Sequence, residues 1–138
     1  MSKKIVATNG CFDILHVGHL RYLEASKKLG DYLVVGLNSD SSVKQLKGES
    51  RPINSEEDRK ELLLGLKAVD EVIIFNETEA CEFLKKVKPD IYTKGGDYSL
   101  EEVKNWPEYK TAQELGCKIE LIDFVEGKSS TKIIETLS

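Results

Sequence analysis

Lys4-Ile-Val-Ala-Thr-Asn-Gly-Cys-Phe-Asp-Ile-Leu-His-Val-Gly-His19 is the stretch from which the fold can be read. Lys4 to Thr8 is a short β-branched run ending at Asn9-Gly10, the pattern of a buried strand stopped by a turn. From about Gly18 to Leu29, Leu20, Leu23 and Leu29 recur among charged residues, and Gly30 supplies a stop. Strand, glycine loop and helix follow one another directly, as at the start of a βαβ unit.

The same alternation continues outward from this stretch. Asp31 to Asn38 reads as a strand, and Ser39 or Asp40 caps a short helix running to Leu46. Lys47 to Asn54 carries turn residues without periodicity. Ser55-Glu-Glu-Asp58 then opens a helix with Leu62, Leu63, Leu66 and Val69 at helical spacing. Glu71 to Phe75 is a third strand, Thr78 to Val87 a helix, and Asp90 to Thr93 a fourth strand ending in Lys94-Gly-Gly-Asp97. A helical stretch interrupted by Pro107 closes at Gly116, Lys118 to Asp123 is a fifth strand, and Thr131 to Leu137 is expected to form a closing helix. Strands separated by helical patterns predict one α/β domain over residues 1–138, a doubly wound parallel five-stranded sheet of Rossmann-like type with helices on both faces. Ligands of such sheets bind at the carboxyl ends of the strands, so function is expected in Asn9–His19, Lys94–Asp97 and Val125–Thr131.

The 138 residues suffice for one domain that buries roughly 68% of the surface of its unfolded chain. With 40% hydrophobic and 32% charged residues, disorder and a collagen-like chain are excluded. A net charge of -4 argues against a nucleic-acid-binding module, which relies on a positive surface. No apolar run approaches the roughly 20 residues of a membrane span, and no signal-peptide pattern precedes the first strand. Cys11, Cys81 and Cys117 cannot all pair and form no Cys-x-x-Cys, so a reduced, cytoplasmic protein is expected.

The chain's two histidines, His16 and His19, both fall in the opening motif and share one face of a helical turn. A helix N-terminus offers unpaired amides and a positive dipole end, and two imidazoles beside it can donate to phosphate oxygens as charge builds. Gly10 and Gly18 let the chain pass close to a ligand. A zinc site needs a third ligand, and none is obvious here. Cys11 has no base-rich partner set and reads as a packing residue beside the ligand. Asp90, Asp97 and Asp123 are too scattered to form a metal loop.

Gly10, Phe12, Asp13, His16, Gly18 and His19 fill the signature Gly-x-Phe-Asp-x-x-His-x-Gly-His, and the chain resembles the cytidylyltransferase-like nucleotidyltransferases. Within them, Gly36-Leu-Asn-Ser-Asp40, Arg51-Pro-Ile-Asn54 and Lys94-Gly-Gly-Asp-Tyr98 resemble the heptose 1-phosphate adenylyltransferases. That resemblance covers nearly the whole chain. It implies attack of D-glycero-D-manno-heptose 1-phosphate on the α-phosphorus of ATP, giving ADP-heptose for lipopolysaccharide or another surface glycan. It implies that His16, His19 and Lys44 act on the triphosphate, with Lys47 weighed beside Lys44. Asn9, Gly10, Cys11, Phe12, Asp13 and Gly18 would line the nucleotide site. So would Lys94, Gly95 and Asp97, and Ser129, Ser130 and Thr131 at the start of the closing helix. Arg51 is read against phosphate or sugar, and Arg59 as a site, dimer or exposed ion-pair residue. Mg²⁺ is expected to arrive with ATP, a separate kinase to supply the sugar phosphate, and the protein to form a homodimer. CTP with glycerol 3-phosphate, GTP with the sugar, and a nucleotide-binding regulator stay open as alternatives.

Overall fold

The computed structural model describes residues 3–96, 98–124 and 131–137. Five parallel strands form the body of the sheet: β1 (Ile5–Gly10), β2 (Tyr32–Asn38), β3 (Glu71–Phe75), β4 (Ile91–Gly95) and β5 (Lys118–Phe124). Their order in space is β3-β2-β1-β4-β5. The chain winds outward from β1 to β3, then crosses over to β4, so the direction of winding reverses at the β1/β4 seam. The loops after β1 and β4 therefore border one crevice, where open α/β sheets take their ligands.

Helices cover both faces because both faces of the strands are apolar. Leu33, Val35 and Leu37 of β2 pack with Val6, Tyr22, Leu23 and Leu63 on one side, under α1 (Val17–Lys27) and α3 (Glu56–Leu64). Val34 of the same strand packs with Ala7, Phe83, Leu84 and Tyr92 on the other. That layer is α4 (Cys81–Val87), α5 (Leu100–Lys104) and α6 (Pro107–Leu115), while α2 (Asp40–Lys47) sits beyond the end of β2. The period-two alternation of β2 thus feeds two cores rather than one core and solvent.

Local chemistry accounts for the boundaries. Ser39, Ser55 and Ser99 each accept a backbone N–H at the start of α2, α3 and α5. Pro107 stands at the first turn of α6, so it begins a helix where the sequence reading had it interrupt one. At the opposite end of the sheet from the crevice, Asp31, Asp70 and Asp90 accept the amides of Lys4, Leu33 and Ile5 at 2.8 Å each. Asp90 is spent on this bracing.

Two expectations need correction. The segment Thr131–Leu137 is not a helix but β6, antiparallel to β5, with Phe124 opposite Thr131 and Ile119 opposite Leu137. Its Thr131, Ile133, Ile134 and Thr136 are β-branched and suit a pleated edge, and seven residues are too few for the helical period to decide. In α3, Leu62 faces solvent while Leu63 is fully buried, and Leu66 and Val69 reach the same core from the turn that follows Leu64.

Candidate active site

The site begins with the way the first helix is capped. His16 is the N-cap residue of α1, and its Nδ1 accepts the Gly18 N–H at 3.0 Å. The His19 Nδ1 reaches back to accept the His16 N–H at 3.2 Å. This is a capping box built from two imidazoles instead of Ser and Glu. Because each Nδ1 is an acceptor, each neutral ring carries its proton on Nε2. The box therefore fixes both tautomers and leaves two Nε2–H donors at a helix N-terminus. The rings lie 4.0 Å apart, and His19 also meets the edge of Phe12 at 5.5 Å. Burial lowers the His19 pKa, helped by His16 and Lys47, so the ring is a neutral donor near pH 7.

Two close approaches explain the glycines. A Cβ on Gly18 would stand 2.8 Å from Cε1 of His16, which folds back over it. A Cβ on Gly10 would stand 2.9 Å from the Phe12 ring. Phe12 itself takes a φ of 46°, a strained conformation for a bulky residue that the packed ring maintains.

Asp13 is buried and holds the loop from beneath. Its carboxylate accepts Nε of Arg51 at 2.7 Å and the backbone N–H groups of Ile53 and Asn54. Burial alone would raise the Asp13 pKa, but the two amides and the guanidinium outweigh it and hold it at about 2. Asp13 is thus a fixed anion that fastens the 48–54 segment to the histidine loop. Arg59 lies fully buried beside it, contrary to an exposed pair or a subunit contact. It donates to the carbonyls of Asn54, Cys11 and Asn38 and to Asp40, at 2.7–3.0 Å. One guanidinium ties the loops after β1 and β2 to the start of α3.

The opposite wall is β4. Tyr92 donates to the side chain of Asn9, and Thr93 bonds Tyr22 and Ser26 of α1. Lys94 and Gly95 follow at the crevice. The Cys11 thiol sits between the two walls; burial raises its pKa against the cations Lys47, Arg59 and Lys94. The charges of three cations act on this point of an acidic chain, and Arg59 also donates to the Cys11 carbonyl. Lys44 and Lys47 are both exposed on α2, and the Lys47 charge acts on both His19 and Cys11.

The structure thus brings together Asn9, Gly10, Cys11, Phe12, Asp13, His16, Gly18, His19, Arg51, Lys94 and Gly95. Asp97, Ser129 and Ser130 lie outside the described residues. Thr131 opens a strand, so the helix N-terminus expected at that position is not there. Among the described residues no three His, Cys, Asp or Glu side chains stand together as a metal site, and Asp13 is taken up by Arg51 and amides. Arg59 and Tyr22 were the residues undervalued by sequence reasoning, since burial of a charge or a hydroxyl leaves no mark on a single sequence.

Residues 7–136 match the family described as Cytidylyltransferase-like. The bifunctional protein HldE of a Nitratiruptor species is 55% identical over 98% of this chain, and that of Campylobacter concisus 53% identical over 98%. The chain spans only about 28% and 27% of those two relatives. A crystal structure of the lipopolysaccharide core biosynthesis protein from Thermoplasma volcanium superposes with a TM-score of 0.73 at 35% identity. It covers 92% of this chain and 100% of its own.

Proposed function

The chain belongs to the cytidylyltransferase-like family and is a nucleotidyltransferase; from that premise we propose that it transfers AMP from ATP to D-glycero-D-manno-heptose 1-phosphate. The observation that carries the reading is the pair of Nε2–H donors fixed at the N-terminus of α1 by the imidazole capping box. Identity of 55% and 53% to two bifunctional HldE proteins over 98% of the chain supports the choice of sugar phosphate.

An oxygen of the acceptor phosphate attacks the α-phosphorus of ATP, the bond to the bridging β-phosphate oxygen breaks, and pyrophosphate leaves with that electron pair. The acceptor phosphate is ionised near pH 7, so no protein base is required. Catalysis is then positioning and charge stabilisation. His16, His19 and the α2 lysines Lys44 and Lys47 donate to the phosphates as negative charge moves toward pyrophosphate. Asn9 to Phe12 approach the nucleotide through backbone amides, and Gly95 borders the nucleoside. Arg51, with Nε spent on Asp13, keeps its terminal N–H groups for phosphate. ATP enters as its Mg²⁺ complex, the metal neutralising phosphate charge as part of the substrate. The reading keeps a sugar kinase as supplier of the acceptor and a homodimer as the assembly, which sedimentation checks.

The test is pyrophosphate release with heptose 1-phosphate and ATP, CTP or GTP in turn, alongside CTP with glycerol 3-phosphate. Selective release with ATP and the heptose supports the proposal. Release with another pair alone replaces it, and tight ATP binding without turnover on any acceptor makes the protein a nucleotide-binding regulator.

A further inference from the structure

Alternation along β4 separates two chemistries. Thr93 turns toward α1, where its hydroxyl meets Tyr22 at 3.1 Å and Ser26 at 2.9 Å. Tyr92 belongs to the core on the other face, and Lys94, two residues on, shares that side of the strand. The Lys94 ammonium stands 6.0 Å from the centroid of the Trp106 ring. Tyr98 meets Trp106 edge to face at 4.8 Å. Among the described residues Lys94 has neither an ion pair nor a side-chain hydrogen bond. The acid nearest in effect, Glu108, has its Oε2 engaged by the Ala80 amide at 2.8 Å. Burial depresses the Lys94 pKa, with Glu108 and Cys11 opposing the shift. A half-buried cation without a counter-ion is costly unless an anion joins it.

The geometry of displacement says which anion. In-line attack sets the incoming oxygen and the leaving oxygen on opposite sides of the α-phosphorus. The histidine pair opens α1, which packs on the Thr93 face of β4, whereas Lys94 projects from the opposite face of that strand, and the charges of Lys47 and Lys94 both act on Cys11 of the loop after β1. We propose that Lys94 binds the phosphate of the acceptor, aligning the attacking oxygen opposite the pyrophosphate held by His16, His19 and the α2 lysines. Trp106 lies beside that phosphate as an apolar wall for the sugar ring. This assignment rests on the nucleotidyl-transfer reading above.

The test compares wild type with Lys94→Met, Lys94→Gln and Lys94→Arg. Steady-state pyrophosphate release with heptose 1-phosphate is measured together with calorimetric titration of ATP. The expected result is a KM for heptose 1-phosphate raised at least ~10-fold in Lys94→Met and Lys94→Gln, with partial recovery in Lys94→Arg and ATP affinity within about 2-fold of wild type. An unchanged acceptor KM overturns the proposal, as does an ATP affinity that falls as far as the acceptor KM rises. Failure of both neutral variants to fold makes Lys94 a packing residue and also overturns it. A wild-type protein that releases no pyrophosphate from this pair overturns the underlying reading instead.

Discussion

His16 and His19 stand three apart, and what the spacing achieves is reciprocal capping: each ring uses Nδ1 on a backbone amide and keeps Nε2–H for a ligand. Replacing either with Ala removes one donor aimed at developing charge, and should lower kcat by about 10²–10³. Thermal melts should show a loss of about 1 kcal/mol from the broken cap, far less than the kinetic effect. Wild-type turnover in both variants would refute the assigned role. Asp13 predicts a pH effect of definite sign. Its folded pKa of about 2 lies below the usual 3.8, so its contribution is present above about pH 4 and lost as pH falls toward 2. Unfolding free energies from urea titrations across that range should drop by on the order of 1–2 kcal/mol more in wild type than in Asp13→Asn.

At the scale of elements, the N-terminus of α1 depends on a glycine for a reason of space. Gly18→Ala would drive a methyl into the His16 ring. The expected outcome is a large fall in kcat with helix content by circular dichroism unchanged, because the rest of α1 is anchored by Tyr22, Leu23 and Ser26. Helix α3 gives the contrasting case. Its Ser55 caps the Asp58 amide at 3.2 Å on the exposed side. Ser55→Ala should cost about 1 kcal/mol, or roughly 3 °C in Tm, and leave KM and kcat alone. An equal loss of activity in both variants would show that α3 acts on the site through more than its cap.

Across the whole molecule, Arg59 and Leu33 are both fully buried but do different work. Leu33→Ala opens a cavity in the core under α1 and should destabilise by about 2–5 kcal/mol while the folded fraction keeps its KM. Arg59→Met leaves the carbonyls of Cys11, Asn38 and Asn54 without their donor. It should cost about 2–4 kcal/mol and also raise KM for ATP, since the three loops it joins make the crevice. Denaturant titration and steady-state kinetics on both variants separate the two kinds of effect. A KM for ATP unchanged in Arg59→Met would reduce that residue to a packing role.

The alternation of apolar runs with helical patterns determined the five parallel strands and their crevice, because β-branched runs and capping residues act over a few neighbours. The Gly10 to His19 motif likewise announced the site, since its glycines and histidines are local necessities of a strand–loop–helix turn. Tertiary structure alone decided the rest. Thr131–Leu137 became a strand because the edge of β5 was there to pair with, a partner no local propensity reveals. Lys47 acts on His19 through its charge, and of the roles open to Arg59 the fold chose a buried tie between loops. Charge and hydroxyl groups draw their energy from whatever surrounds them in space, and those surroundings come from segments far apart in the chain.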